Sequence, residues 1–387
     1  MKLVTSESVS IGHHDKVADQ KSDSILDHCL SQDPESHVAV ETLCTTNKVV
    51  LAGEVSTKAD MSMSTIDALV RSVVKDIGYD FNGFDYEQLH VENYIHAQSA
   101  DIQHGVNERD GHEQGAGDQG IMFGYAEGTE ETQYMPIPIY YANKVMAGMT
   151  GLRMTSNDGI LKPDAKCQLT FDMEDEANPK LKCIVVSQQH AEGTDVSDVR
   201  DKVEQVIFKA IPEKYFGEAI VYANPDDVID YTKDVTYIYV NPAGPFVIGG
   251  PDGDTGLTGR KLIVDQYGSA GKIGGGAFSG KDPSKVDRSA AYMCRNAARW
   301  LVSRGECRKC EVSVAYAIGV ARPLQVMVNT FGTGDDKALT ELVEKTFDFR
   351  PKQITEFLGL KNPNGWSYRQ TAQNGHFGHP NFPWENW

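Results

Sequence analysis

The residue types that could do chemistry fall into four short stretches. Residues 271–288 join a glycine-rich turn to a helix start, with Lys281 and Lys285 at the junction. Gly275, Gly280 and Lys281 satisfy the spacing G-x-x-x-x-G-K, but Asp282 stands where a P-loop needs a hydroxyl for Mg²⁺. Asp282 reads as a helix N-cap with Pro283 at the first helical position. Lysines at a helix N-terminus oppose the dipole unless an anion lies nearby, so this turn is expected to bind phosphate. Asp287 is placed to join a Mg²⁺ site there. The second stretch, Gly12-His13-His14-Asp15-Lys16, offers a hard-cation ligand in Asp15 and a contact to a leaving-group oxygen in His13. The alternative is a helix start capped by Asp15. The third, Lys162-Pro163-Asp164-Ala165-Lys166, precedes a strand and can put Asp164 and Lys166 on one side. The fourth, Gly249 to Lys261, holds five glycines, Asp254, Arg260 and Lys261, suited to close backbone approach and positive charge.

The elements that must position these stretches repeat along the chain. Strands are expected at 38–43 and 48–55, at 168–173 and 181–187, and at 311–317 and 325–330. Each pair is followed by an amphipathic helix. In the first, Ile66, Leu69, Val70, Val73, Val74 and Ile77 form the apolar stripe, with Ser64 as cap and Gly78 as stop. Helices are also expected before each hairpin, at about 16–30, 138–150 and 283–304. The pattern predicts an α+β protein of three similar sheet-plus-helix domains with pseudo-threefold symmetry. The divisions are 1–100, 113–247 and 248–387, with a mobile lid at 98–112.

Composition narrows the partners. The chain has 387 residues, 40% hydrophobic and 24% charged, with a formal net charge of −18. That balance argues against nucleic acid. A local excess of Lys and Arg between Arg260 and Lys309 suits a small polyanion. No apolar run reaches membrane-spanning length, and the first residues lack a secretion signal, so a cytoplasmic location is expected. Seven scattered cysteines, Cys307-x-x-Cys310 included, read as reduced thiols.

Together these stretches resemble the S-adenosylmethionine synthase (methionine adenosyltransferase) family. The likeness rests on Thr5–Val9, Gly12–Lys16, Gly115–Gly120, Met122–Ala126, Pro163–Lys166, Phe246–Pro251, Gly256–Lys261, Gly274–Asp282, Lys285–Tyr292, Tyr316–Val320 and the tail from Gly375 to Glu385. It implies that ATP, L-methionine and water give S-adenosylmethionine, phosphate and diphosphate. Sulfur attacks C5′, triphosphate leaves, and triphosphate is then hydrolysed. It implies a homodimer or homotetramer with the active site between subunits. The resemblance assigns catalysis to His13, Lys166, Arg260, Lys281 and Lys285. ATP would be held by His13, Asp118, Asp164, Lys166, Phe246, Asp254, Arg260, Lys261, Ala277 and Lys281. Methionine would fall to Glu54, Gln98, Asp254 and Lys285. Two Mg²⁺ per site would involve Asp15 and Asp287, and K⁺ would use Glu41.

Five positions depart from the family pattern. His14 stands where proline is usual, Ile11 where an acidic residue is, Pro245 where arginine precedes Phe246, and Ile273 where a histidine precedes the glycines; the fifth departure is Ala100, where the lid usually reads Ser-Pro-Asp. None removes a residue assigned a direct role, so loop rigidity and turnover are the properties they should affect. Two other readings are a non-catalytic nucleotide-binding regulatory subunit of the same family and a P-loop-type phosphotransferase.

Overall fold

The computed structural model describes residues 1–81, 83–98 and 113–386; beyond Gln98, the lid at 98–112 lies outside them. In chain order the strands are β1 (Leu3–Val9), β2 (His37–Thr45), β3 (Lys48–Ser56), β4 (Asp80–Phe81), β5 (Phe84–Asp85), β6 (His90–Ala97), β7 (Gly120–Glu127), β8 (Leu161–Asp172), β9 (Lys180–His190), β10 (Ala219–Tyr222), β11 (Val235–Val240), β12 (Gly256–Leu257), β13 (Lys309–Tyr316) and β14 (Gln325–Asn329). The longer helices are α1 (His14–Gln32), α2 (Met63–Ile77), α3 (Ile137–Thr155), α4 (Val196–Ala210), α5 (Val286–Ser303), α6 (Asp336–Thr346) and α7 (Pro351–Phe357).

The hairpins β2–β3, β8–β9 and β13–β14 each follow a long helix and precede a shorter one, as the periodicity predicts. Amphipathic burial explains the shorter helices. Val70, Val73, Val74 and Ile77 of α2 are buried on one stripe, as are Val199, Val203 and Ile207 of α4 and Leu339 and Val343 of α6. Gly78 ends α2 with φ at +97°, the left-handed cap that glycine adopts without strain. The N-cap of α2 is Ser62, two residues before the expected Ser64.

Each sheet takes a strand from a different part of the sequence. The main sheets run β1-β8-β9-β11-β10, β12-β2-β3-β6 and β14-β13-β7. Thus β1 pairs antiparallel with β8, β7 with β13, and β12 with β2. These exchanges stitch the three repeats together. Two buried apolar clusters result. One is built on α3, β8, β9 and α4, and the other joins α1, α2 and α5 with the tail residues Phe377 and Trp384. Among the described residues, no helix is long and apolar enough to cross a membrane. All seven cysteines are buried and free.

Candidate active site

The outer edge of β2 sets the site. Two chain segments dock on it end to end. Gly256 and Leu257 pair with Cys44 and Leu43, and Thr258 N–H donates to Thr42 O at 3.1 Å. Further along, Val40 N–H donates to Gly280 O at 3.1 Å and Asp282 N–H to Val38 O at 3.0 Å, so Lys281 bridges Ala39. One strand edge therefore presents both the Arg260–Lys261 loop and the Lys281–Lys285 loop. Gly280 makes this approach possible: its φ is +82°, and a Cβ there would collide with Val40 O. Ala277 abuts Gly259, closing the two loops on each other.

Helix α1 holds the same loops from beneath. Asp15, Asp19, Asp23 and Asp27 recur at i+4 spacing, so their carboxylates form one row. Asp15 Oδ1 accepts from Leu257 N–H at 3.0 Å, Asp19 Oδ1 from Gly259 N–H at 2.9 Å, and Asp23 Oδ1 from Gly280 N–H at 2.8 Å. Asp27 accepts from Tyr368 and Arg369 N–H at 2.8 and 2.9 Å. Arg288 makes a double contact with Asp23 at 2.6 and 3.0 Å, and Lys16 pairs with Asp19 and Asp265. The sequence reading missed Asp19, Asp23, Lys16 and Arg288 as site supports. The i+4 aspartate repeat was the signal that could have found the two aspartates; Lys16 and Arg288 carried no comparable one.

His13, rather than Asp15, is the N-cap of α1; its Nδ1 accepts from Asp15 N–H at 3.2 Å. A ring nitrogen accepting a backbone N–H carries no proton, so the neutral imidazole is protonated at Nε2. Burial, aided by His14 and the Lys261 and Lys166 charges, drives the His13 pKa far below its ordinary value, so the ring is neutral. Nε2 is buried without a partner among the described residues. A donor left bare in this way is aimed at something the fold does not supply.

Around it lie cationic groups. Lys261 Nζ is 2.6 Å from Asp15 Oδ2, and Arg260 Nε is 3.8 Å from Asp15 Oδ1. Lys166 is exposed and near enough to act electrostatically on both histidines. It sits inside β8, which starts at Leu161, so the expected turn before the strand is part of the strand. Asp164 is buried; Oδ2 accepts from Gly250 N–H at 2.8 Å, and Oδ1 has no partner among the described residues. Burial pushes its pKa up to about 6. Phe246 is anchored by His190, whose Nε2 accepts the Phe246 N–H at 3.0 Å.

The second lysine loop differs from expectation. Helix α5 begins at Val286 with Lys285 as N-cap, so Asp282 is not the cap. Asp282 instead accepts Val38 N–H at 2.7 Å, Ser284 N–H at 2.8 Å and Lys285 Nζ at 2.5 Å, serving strand docking and the turn at once. Lys281 Nζ lies 2.6 Å from Asp287 Oδ2, while Asp287 Oδ1 accepts Gly276 N–H at 3.0 Å. Each loop lysine is thus matched by a carboxylate. Asp118 is exposed, in a stretch where Gly117 lies against Ser284.

Several predicted residues sit on β2 itself or on the strands at its other side. Glu54 sits in β3, paired with Ala39, with Oε1 3.7 Å from His96 Nε2. Gln98 N–H donates to Val55 O at 3.0 Å, and its buried Oε1 has no partner among the described residues. Glu41 is exposed on β2, opposite Ala52. Two cavities of about 750 and 760 Å³ include none of His13, Lys166 or Lys261.

Comparison with known families decides what this arrangement is. Residues 1–100 match the S-adenosylmethionine synthetase N-terminal domain, 113–246 its central domain and 248–386 its C-terminal domain. The chain belongs to the S-adenosylmethionine synthetase family. A protein named S-adenosylmethionine synthase from Hyphomonas neptunium is 49% identical over 381 residues, covering 97% of this chain and 92% of that one. One of the same name from Pelagibacter ubique is 46% identical over 391 residues, covering 99% and 96%. A solved S-adenosylmethionine synthetase from Campylobacter jejuni, described as unusual, shares 37% identity with a TM-score of 0.87, covering all of this chain and 97% of its own. These synthetase relatives lend no support to a non-catalytic subunit. The late start of α5 separates the lysine loop from a P-loop.

Proposed function

We infer that the chain makes S-adenosylmethionine from ATP and L-methionine. The observation that carries this reading is the docking of both lysine loops on one edge of β2, beside the bare Nε2–H of His13. A thioether sulfur carries no proton, so attack on C5′ needs no general base. The work lies in aligning the reactants and stabilising a leaving triphosphate. Arg260, Lys261, Lys166 and Lys281 supply positive charge for it. His13 donates Nε2–H to an oxygen at the ribose–triphosphate junction. The same charges then hold triphosphate for hydrolysis to phosphate and diphosphate.

Mg²⁺ fits the acidic residues. Asp15 and Asp287 are oxygen donors of the kind Mg²⁺ takes, and each already holds one cation on an Oδ2 while a backbone N–H fixes its Oδ1. The two carboxylates would hold two ions, whose chemistry is neutralisation of phosphate charge. Lys261 and Lys281 would then turn from carboxylate to phosphate. Glu41 is our assignment for K⁺. Asp118, Phe246, Asp164 and Ala277 are assigned to ATP, and Glu54, Gln98, Asp254 and Lys285 to methionine. We keep 1–100, 113–247 and 248–387 as the domain division, with strand exchange across it.

The reading includes a homodimer, alone or paired into a tetramer, with the site between subunits. Glu54 on β3 and Gln98 just after β6 lie on the other side of β2 from the edge that carries the two lysine loops. Ile121, Ile318, Leu324 and Met327 also leave an exposed apolar patch beside the β7–β13–β14 sheet. The deciding experiment is incubation with ATP, methionine, Mg²⁺ and K⁺, followed by mass spectrometry. S-adenosylmethionine well above a Lys281→Ala control supports the reading. No product above that control overturns it.

A further inference from the structure

His14 occupies the position where the family pattern has proline, and its ring does something a proline cannot. It is buried, its centroid is 3.9 Å from that of His13, and its Nε2 is turned toward two carboxylates. Nε2 lies 3.7 Å from Asp15 Oδ2 and 3.6 Å from Asp254 Oδ2. Both separations are too long for hydrogen bonds. They are close to the distance between neighbouring ligands on one ion, about 3.3 Å for tetrahedral bonds of about 2.0 Å. His13, His14 and Asp15 also form the group of metal-ligating side chains that converges among the described residues, with donor atoms within 4.8 Å of one another. His13 is excluded as an Nε2 ligand, because the Asp15 N–H on Nδ1 keeps the proton on Nε2. The remaining donors are one imidazole nitrogen and two carboxylate oxygens.

We propose that His14 adds an imidazole ligand to the cation position at Asp15, making this site a binder of divalent transition ions such as Mn²⁺, Co²⁺ and Zn²⁺. Imidazole suits ions such as Zn²⁺, whereas Mg²⁺ keeps to oxygen; Mn²⁺ favours oxygen but accepts a histidine nitrogen beside carboxylates. The proposal rests on the reading of Asp15 as a metal ligand. Asp254, largely exposed, accepts the Thr255 N–H on Oδ1 at 2.8 Å and offers Oδ2 to the ion. Binding on Asp15 Oδ2 requires Lys261 Nζ to leave that oxygen, so the ion and the ammonium exchange places.

The test uses the full chain, stripped of metal, with Mn²⁺ and inorganic tripolyphosphate, which contains no nitrogen. Electron spin-echo modulation of the bound Mn²⁺ reports directly coordinated imidazole. The expected result is a histidine ¹⁴N pattern in the parent chain, replaced by a ¹⁵N pattern after histidine labelling and lost in His14→Pro and His14→Gln. Proline is tolerated at a first helical position, and thermal melting verifies that both variants fold. Mn²⁺ or Co²⁺ affinity should fall about tenfold or more in both, the scale on which even second-layer partners of a metal act. Bound Mn²⁺ with no nitrogen pattern, or a pattern unchanged in His14→Gln, overturns the proposal and leaves Asp15 as a ligand. Mn²⁺ binding unaffected by Asp15→Asn removes the underlying reading as well.

Discussion

Lys261 Nζ lies 2.6 Å from Asp15 Oδ2 across 246 residues of sequence, and the opposite oxygen of the same carboxylate receives the Leu257 N–H. One buried side chain therefore fixes both the backbone and the ammonium of the 256–261 loop. The loop backbone is fixed before any phosphate arrives, so the ammonium has only to turn from Asp15 Oδ2 to the triphosphate, which limits the reorganisation its charge must undergo. Lys261→Met should lower kcat for S-adenosylmethionine by about 100-fold or more, on the scale of losing one oxyanion donor. Single-turnover product formation measures it. A loss confined to the KM for ATP would mean that Lys261 binds ground state and transition state equally.

Gly280→Ala tests the strand docking. Its Cβ would strike Val40 O, and its φ of +82° disfavours any side chain. The segment should lift off β2 and carry Lys281 with it. Activity should fall as far as in Lys281→Ala, although no charged group is removed. Amide exchange should show the Val40 N–H, which donates to Gly280 O, losing protection while the β2–β3 ladder keeps it.

Asp23→Ala addresses the aspartate row. Arg288 and Asp23 are both almost fully buried, so the variant strands an unpaired guanidinium in the core and frees the Gly280 N–H. Breaking such a pair from one side costs about 3–5 kcal/mol. The urea midpoint should drop accordingly. A shift no larger than that of an exposed substitution would mean water reaches Arg288.

Asp164 makes stability depend on pH in the direction opposite to a salt-bridged carboxylate. Burial raises its folded pKa from 3.8 to about 6, so between these values the native state binds more protons than the unfolded one. Its contribution is therefore full below the unfolded pKa and is lost as pH rises through the folded one. At about 1.4 kcal/mol per pKa unit, roughly 3 kcal/mol is at stake. Relative to Asp164→Asn, the parent chain should lose stability between pH 4 and 6, measured as the difference in melting temperature. A constant difference across that range would refute the burial argument.

The sequence made some layers of this molecule legible and hid others for identifiable reasons. Helix α2 announces itself, because its apolar stripe has one partner and one solvent face. Helix α1 does not, because it is buried nearly all round and its polar residues meet distant backbone rather than water. Hairpins such as β8–β9 follow from local pattern. The pairing of β1 with β8, or of the two-residue β12 with β2, is set by contacts across more than 150 residues that no window of sequence contains. Among site residues, Lys281 and Lys261 were readable from glycine-rich surroundings. The cap role given to Asp282 was not, since tertiary pairing with Val38 outcompeted the local helix-start signal.

The exposed apolar patch on the β7–β13–β14 sheet yields the last prediction. Ile318, Leu324 and Met327 are each more than two-fifths exposed. Isolated apolar residues on a surface need no partner, but several gathered around one end of a sheet, here on β14 and the β13–β14 connection, cost water contact unless covered. If a second copy covers them, a charge at the centre must be desolvated on association, which opposes it by several kcal/mol. Met327→Glu should therefore shift the chain toward monomer in light scattering. With the proposed site lying between subunits, turnover should fall in step with the dimer fraction, and raising protein concentration should restore both. Monomeric variant with full specific activity would place the complete site within one chain.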